Sequence, residues 1–213
     1  MQEVVIPFER FQLNGELAIP PNSLGVILFA HGSGSSRHSP RNQFVARTLR
    51  DHGVGTLLFD LLTEDEETED RLTGHLRFDI GLLAQRLLGA TRWYHRNKPD
   101  DAIGYFGSST GAGAALLAET LSELPIKAIV SRGGRPDLAG PALAKVRAPT
   151  LLIVGGDDTA VIEMNKAAFA KLNCPKQMRL VPGATHLFDE PGALEQAAQM
   201  AAEWFERHFR AKP

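Results

Sequence analysis

Short hydrophobic runs recur along this chain, separated by longer stretches in which apolar residues come three or four positions apart. The strongest runs lie at residues 26–30, 54–60, 103–106 and 150–154, and weaker ones lie at 128–131 and 176–181. A short, nearly continuous apolar run is typical of a strand that is buried on both faces of a parallel sheet. The runs therefore predict a mostly parallel sheet at the centre of the fold.

The stretches between the runs have helical periodicity. Residues 42–51 form a helix-like segment, and apolar residues share one helical face within 78–93 and within 194–208. Alternating strands and helices predict an α/β protein with helices on both faces of its sheet. We expect residues 1–213 to form a single domain, because this length suits one large core and no repeat or linker interrupts it.

Two segments depart from this alternation. Residues 4–8 and 16–19 are separated by Asn14-Gly15, a pair that readily forms tight turns, and predict an antiparallel hairpin that brings the sheet to about eight strands. Six of the seven positions 64–70 are Asp or Glu, without the glycine turn of a calcium-binding loop. This acidic run predicts a mobile, solvated loop.

Composition narrows the possible partners. A net charge of −2 gives no basic excess for nucleic acid, and no apolar run has membrane-spanning length. The N-terminal residues lack a basic, apolar leader, and Cys174 is the single cysteine. We expect a soluble, cytoplasmic protein with a small-molecule substrate, no nucleic-acid or membrane partner, and a structural role for Cys174.

The main chemical motif is the G-x-S-x-G formed by Gly107, Ser109 and Gly111. It follows an apolar run and precedes a stretch rich in small residues, so it predicts a sharp strand-to-helix turn. Such a turn crowds the backbone, requires glycine on both sides, and presents the serine hydroxyl at the edge of the sheet. We interpret Ser109 as a nucleophile.

A dinucleotide-binding site is the competing interpretation. Gly107, Gly111 and Gly113 also form a glycine-rich pattern, and Tyr94 and Lys98 form Y-x-x-x-K. In short-chain dehydrogenases, however, the glycines follow the first strand and the Tyr–Lys pair comes far downstream. Because the order here is the reverse, we expect no cofactor.

A second glycine-rich loop follows the run at 26–30 and begins at His31. It lacks the lysine of a phosphate-binding P-loop, and His31 and His38 have no third ligand at a suitable spacing, so neither a phosphate nor a metal site is predicted. The loop instead fits an oxyanion hole, in which the backbone N–H groups of Ser33 and Thr110 would hold the negatively charged oxygen.

Three candidate groups follow the ends of predicted strands in the order Ser109, Asp157 or Asp158, and His186. The carboxyl ends of parallel strands lie at one edge of a sheet. A serine needs an imidazole to take its proton, and a carboxylate fixes the tautomer of that imidazole. The order serine, acid, histidine is the one expected of an α/β-hydrolase.

On these residues the chain resembles the α/β-hydrolase superfamily over nearly its whole length, and within it the small dienelactone-hydrolase-like branch. The segments that carry the resemblance are His31-Gly32-Ser33-Gly34, Gly107-Ser108-Ser109-Thr110-Gly111, Gly155-Gly156-Asp157-Asp158 and Pro182-Gly183-Ala184-Thr185-His186. In such enzymes the acid usually lies three residues past the glycine that closes its strand, which selects Asp158, with Asp157 as the alternative.

The resemblance also implies limits on the substrate. Many members carry a cap after the strand that follows the nucleophile helix, but residues 131–150 have room only for a short helix, so we expect no sizeable cap and a shallow, open pocket. True dienelactone hydrolases use cysteine where this chain has Ser109. That difference favours general hydrolysis of small or short-acyl esters over a lactone-specific role.

The resulting hypothesis is a carboxylesterase with the triad Ser109, Asp158 and His186. The alternatives are an acyltransferase or lactone hydrolase that uses the same triad, and a non-catalytic binding protein of the same fold. Arg132 and Arg135 follow a predicted strand and could contact an anionic substrate group. The oligomeric state is left open.

Overall fold

The structure, a computed structural model, describes residues 1–211, in which eight strands form one sheet of order β1-β2-β4-β3-β5-β6-β7-β8. The strands are β1 (Gln2–Pro7), β2 (Gln12–Ala18), β3 (Val26–Ala30), β4 (Gly55–Phe59), β5 (Ile103–Ser108), β6 (Ile126–Arg132), β7 (Thr150–Gly155) and β8 (Lys176–Val181). Strands β3 to β8 pair in parallel, whereas β2 is antiparallel to both β1 and β4. The predicted α/β-hydrolase fold, with its antiparallel N-terminal hairpin, is confirmed.

Helices cover both faces of the sheet and bury its alternating side chains. The α-helices are α1 (Pro40–Asp51), α2 (Glu64–Thr73), α3 (Ile80–Asn97), α4 (Thr110–Leu121), α5 (Thr159–Lys171) and α6 (Ala193–Arg210), and 3-10 helices span Leu76–Phe78 and Pro136–Lys145. Along β3, Leu28 packs in the core beneath α3 and α4, and Phe29 packs in the core beneath α1 and α6. Both faces of the central strands are therefore buried, as their apolar sequences predict.

The hairpin turn lies elsewhere than predicted. Asn14 and Gly15 are inside β2, opposite Val5 and Val4, and the turn is closed by the Phe8 N–H, which donates to the Phe11 carbonyl. The Phe8 and Phe11 rings stack with centroids 4.7 Å apart. Gly15 serves packing instead, since a Cβ there would lie 3.1 Å from the Cβ of Phe59 on β4.

The acidic run is a helix, and the prediction of a loop there is wrong. Thr63 and Glu66 form a reciprocal capping box: the Thr63 hydroxyl accepts from the Glu66 N–H, and the Glu66 carboxylate accepts from the Thr63 N–H. Acidic residues in a first helical turn also stabilise the positive end of the helix dipole. Glu66 additionally pairs with the buried Arg86 of α3, at 2.5 Å.

Within the described residues, no helix has the length and apolar character needed to cross a membrane. Cys174 is buried, and its thiol contacts the Thr150 hydroxyl at 3.7 Å. Burial raises the pKa of this thiol, as expected for a side chain with a packing role.

Candidate active site

The turn around Ser109 is strained, as the motif predicts. Ser109 has φ 50° and ψ −124°, a conformation that L-residues rarely adopt, and it lies between the end of β5 and the start of α4. A Cβ on Gly107 would lie 2.5 Å from the Cα of Ala112, and one on Gly111 would lie 2.1 Å from the carbonyl oxygen of Ala30. Both flanking positions therefore require glycine. The Ser109 side chain makes no capping hydrogen bond to α4, which leaves its hydroxyl available.

The loop after β3 passes directly over this turn. A Cβ on Gly32 would lie 2.9 Å from the Cβ of Ser109, so the loop can approach this closely only because residue 32 is glycine. Among the described residues, neither the Ser33 nor the Thr110 N–H donates to a backbone carbonyl. These two predicted oxyanion donors are thus free, and they belong to the segments on either side of the Gly32–Ser109 contact.

His31 fixes the conformation of this loop. Its Nδ1–H donates to the Gly32 carbonyl at 2.9 Å, while Nε2 accepts from the Leu61 N–H at 3.0 Å. The second bond requires a neutral ring, and burial lowers the pKa of His31. These two contacts give His31 a structural role, in which it orders the loop.

His186 and Asp158 are brought together at the same edge of the sheet. The Nδ1–H of His186 donates to Oδ2 of Asp158 at 2.7 Å, and the Asp158 side chain is 14% exposed. Asp157 is exposed and contributes only its backbone N–H, which donates to Ala184. The geometry therefore distinguishes the two acids and selects Asp158 as the partner of His186.

Glycines also bring the His186 loop close to the sheet. A Cβ on Gly155 would lie 2.4 Å from the Ala184 carbonyl, and one on Gly133, which has φ 51°, would lie 3.1 Å from the His186 carbonyl. The adjacent Arg135 N–H donates to the Ser109 carbonyl at 2.9 Å. The segment 133–135 thus contacts both the Ser109 turn and the His186 loop. No hydrogen bond joins Ser109 Oγ to His186 within the part of the chain that the structure describes.

A cavity of about 310 Å³ lies beside the loop 31–35, whose Gly32 packs against Ser109. One wall is the loop 31–35, and the other is formed by α2 and the 3-10 turn that follows it, with Asp70 and Arg77 among the lining side chains. The acidic segment that the sequence predicted to be a loop thus forms a helical wall of this cavity.

Asp70 organises that wall, and the sequence analysis missed it. Its Oδ1 accepts from the Leu76 and Arg77 N–H groups at 2.7 and 3.2 Å, and its Oδ2 accepts from Arg77 Nε at 2.5 Å. Burial alone would raise the pKa of Asp70, but the Arg77 guanidinium and the two N–H donors lower it. The only sequence signal for an ordered segment here was Thr63 followed three positions later by Glu66, a capping-box pattern.

The two arginines after β6 differ in their surroundings. Arg135 forms a bidentate pair with Asp137 at 2.9 and 2.7 Å, so its Nε and Nη2 donors are occupied within the protein. Arg132 is 7% exposed and points into the core beneath the His186 loop, where its Cζ lies 5.7 Å from the centre of the Phe188 ring.

Comparisons with known proteins agree with this architecture, although no protein-family model matches the chain. It is 51% identical over 211 residues to two Mycobacterium tuberculosis proteins, from strains CDC 1551 and H37Rv, that carry the name "Putative phosphoribosyl transferase". The match covers 98% of this chain but 46% of theirs, so the chain spans about half the length of these curated relatives.

Solved structures match over the full length. Est1E from Butyrivibrio proteoclasticus has a TM-score of 0.81 at 18% identity, covering 98% of this chain and 99% of its own, which shows a shared fold. The crystal structure of a dienelactone hydrolase from Anabaena variabilis has a TM-score of 0.95 at 54% identity, covering 98% of this chain and 99% of its own. The protein therefore belongs to the α/β-hydrolase superfamily, in its dienelactone-hydrolase-like branch.

Proposed function

We propose that the protein is a serine hydrolase that cleaves small carboxylic esters through an acyl-enzyme on Ser109. The observation that carries the proposal is the 2.7 Å hydrogen bond from His186 to Asp158, held through segment 133–135 beside a strained serine turn. A serine, an imidazole and a carboxylate at one edge of the sheet are the groups that acyl transfer requires.

In this mechanism Ser109 Oγ attacks the ester carbonyl while Nε2 of His186 takes the hydroxyl proton. Because Asp158 accepts from Nδ1–H, it holds the tautomer that leaves Nε2 free to act as base, and it stabilises the imidazolium that forms. The Ser33 and Thr110 N–H groups would donate to the oxyanion. The imidazolium then protonates the leaving alcohol, and water attacks the acyl-enzyme with His186 again as base.

Contact between Ser109 and His186 has to form when substrate binds. Catalytic hydrogen bonds are often long in unliganded enzymes and tighten in the substrate complex. The His186 side chain is 41% exposed, so water can reach it, which favours hydrolysis over transfer of the acyl group to another acceptor.

The cavity beside the loop 31–35, which contains the proposed oxyanion donor Ser33, would hold one side of the ester. A volume of about 310 Å³ is at the small end of ligand pockets, which supports small or short-acyl substrates. Phosphoribosyl transfer is not part of the proposed function, because the relatives with that name are about twice the length of this chain, which matches 46% of them.

The first test is covalent labelling by a fluorophosphonate, read by intact mass, together with hydrolysis of short 4-nitrophenyl esters. The native protein should gain one adduct and release 4-nitrophenol, and Ser109→Ala should do neither while keeping its thermal unfolding midpoint. Ser108→Ala is the matched control, because this neighbouring serine is buried in β5 and should be dispensable for labelling. A folded native protein that neither labels nor turns over would contradict the proposal.

A further inference from the structure

The loop 31–37, which carries one of the two proposed oxyanion donors, is fixed at both ends by two consecutive residues of another segment. At its start, Nε2 of His31 accepts from the Leu61 N–H at 3.0 Å. At its far end, the Arg37 N–H donates to Oδ1 of Asp60 at 2.8 Å, and Arg37 Nη1 pairs with Oδ2 of the same carboxylate. Asp60 and Leu61 directly follow β4, so the end of this strand anchors both ends of the loop.

The contact between Asp60 and Arg37 is largely shielded from water and is supported from a second side. The two side chains are 15% and 17% exposed. The Arg37 carbonyl accepts from Nε2 of Gln43 on α1 at 2.9 Å, and the same nitrogen donates to the buried Glu16 of β2 at 2.7 Å. Asp60 is itself attached to β2, because its N–H donates to the Asn14 carbonyl at 3.0 Å. The far end of the loop is therefore held to the sheet and to α1, with Asp60 as its link to the sheet.

Ser33 lies between these two anchors, in a part of the loop that is exposed to solvent. The turn that carries it is closed by the Ser35 N–H, which donates to the Gly32 carbonyl at 3.2 Å. An oxyanion donor must lie about 2.7–3.1 Å from the position of the charged oxygen, so a small displacement weakens the bond. The position of the Ser33 N–H thus depends on where the ends of the loop are held.

The nucleophile reaches this loop from the other neighbour of β3. Strand β3 pairs with β5, which leads to Ser109, on one side and with β4 on the other. Gly32 packs against Ser109, whereas Asp60 and Leu61 hold the loop from the β4 side. The distance from Ser109 to the Ser33 N–H is therefore set by contacts on both sides of the loop.

We propose that Asp60 is a positioning residue for the reaction, which by fixing Arg37 holds the Ser33 N–H where the oxyanion forms. The inference deepens the proposed function and rests on it. The Asp60 carboxylate is engaged with Arg37, so its effect on the oxyanion passes through the loop. Its loss should therefore weaken stabilisation of the transition state and leave binding of the ground-state ester almost unchanged.

The test is steady-state hydrolysis of short 4-nitrophenyl esters by Asp60→Ala. Removal of an oxyanion donor lowers kcat roughly 10²- to 10³-fold, and displacement of one should cost less. We therefore expect kcat to fall roughly 10- to 100-fold while KM stays within about threefold.

Glu119→Ala is the matched control. The Glu119 carboxylate also accepts from two backbone N–H groups, those of Arg147 and Ala148. It lies on α4 about 14 Å beyond Thr110 along the helix axis, away from the oxyanion site. This variant should lower the thermal unfolding midpoint and leave kcat within about twofold.

A transition-state analogue reports on the oxyanion hole directly. Ser109 Oγ would add to the carbonyl carbon of 1,1,1-trifluoro-2-hexanone, its proton would pass to His186, and the carbonyl oxygen would become an oxyanion. The inhibition constant of this ketone should rise in Asp60→Ala by about the factor by which kcat/KM falls. The inhibition constant of N-methylpentanamide, which forms no oxyanion, should stay within about threefold. If Asp60→Ala lowered the unfolding midpoint but left kcat and ketone inhibition as in the native protein, Asp60 would support the fold alone and the proposal would be overturned.

Asp60→Asn keeps the proposal falsifiable if Asp60→Ala does not fold. Asparagine leaves one oxygen for the Arg37 N–H but removes the charge that attracts the guanidinium, so kcat should fall by roughly three- to tenfold. Glu119→Gln, its matched control, should leave kcat unaltered. A native kcat in Asp60→Asn would overturn the proposal.

Hydrogen exchange separates this inference from the esterase proposal, because it needs no turnover. Exchange at residues 32–37 should quicken in Asp60→Ala and stay native in Glu119→Ala. If it quickened there but the native protein hydrolysed no ester, the esterase proposal would fail and Asp60 would remain a residue that orders the loop. If the native protein hydrolysed esters and Asp60→Ala changed neither exchange nor kcat, this inference alone would fail.

Discussion

The two sides of the candidate site are held in place by different forces. On the nucleophile side, backbone segments approach so closely that glycine is needed at Gly32, Gly107 and Gly111. On the α2 side, the wall is held by side-chain charges, chiefly the contacts of Asp70 with Arg77. The first side tolerates almost no displacement, whereas we expect the second side, which the Glu66–Arg86 pair also holds, to loosen when the Asp70–Arg77 contacts are lost. This difference matches the needs of the proposed chemistry, in which reacting atoms must be placed accurately while the substrate has to enter and leave.

The largest effect should come from the charge that orients the base. Asp158→Asn keeps the shape of the side chain but removes the acceptor that fixes the His186 tautomer, so kcat for a short ester should fall roughly 10³- to 10⁴-fold. Asp157→Asn is the matched control. Because Asp157 is exposed and, among the described residues, the His186 Nδ1–H donates to Asp158 instead, activity should change less than about threefold. Steady-state kinetics of both variants checks this prediction. If Asp157→Asn lowered kcat more than Asp158→Asn, the acid of the triad would be Asp157.

The next effect concerns the close backbone approach at the nucleophile turn. Gly111→Ala should destabilise the protein at the upper end of the about 1–3 kcal/mol typical of overpacking, because its Cβ would meet the Ala30 carbonyl at 2.1 Å. Displacement of the turn should also lower kcat, by less than Asp158→Asn does.

Gly81→Ala provides the contrast for that measurement. Gly81 is the second residue of α3, and the nearest atom to a Cβ there, at an ordinary contact distance of 3.4 Å, is Oδ1 of the capping residue Asp79. Alanine there should raise the free energy of unfolding by about 0.4–1 kcal/mol, because it can adopt the helical backbone of residue 81 and reduces the conformational entropy of the unfolded chain. Urea unfolding gives the free energy of unfolding of both variants. If Gly111→Ala and Gly81→Ala changed it by the same amount, the Ser109 turn would have room to relax.

The difference between local backbone crowding and long-range side-chain contacts also explains which features the sequence could predict. The turn at Ser109, its flanking glycines and the order of the triad are local signals, because adjacent residues impose the crowding that makes glycine necessary. Asn14-Gly15 was misleading as a local turn signal. Glycine is needed at position 15 because Phe59 on β4, which is far away in sequence, packs against it. The acidic helix was missed because charge density was given more weight than the Thr63–Glu66 capping pattern.

The sequence pattern did not predict which charged groups are buried. Arg132 and Arg135 are three residues apart and read alike in the sequence, yet one is enclosed beneath Phe188 and the other is paired with Asp137. Their difference depends on how the His186 loop folds back over β6. Asp70 likewise gains its importance only when the 3-10 turn brings Leu76 and Arg77 to it.

The smallest effect on activity is expected from a change on the α2 side of the site, at Asp70. Asp70→Asn removes a buried carboxylate that accepts from two backbone N–H groups and Arg77, which should cost about 1–3 kcal/mol. The loss should be local to α2 and the 3-10 turn, because the Asp70 side chain joins these two elements. Hydrogen exchange should therefore quicken at residues 64–78, and KM for short esters should rise while kcat changes little.

Glu69→Gln, at an exposed neighbouring position, is the control and should leave both exchange and KM unaltered. If Asp70→Asn instead lowered kcat as strongly as Asp158→Asn, the α2 wall would have to place reacting atoms, and the division between an accurately fixed side and an opening side would fail.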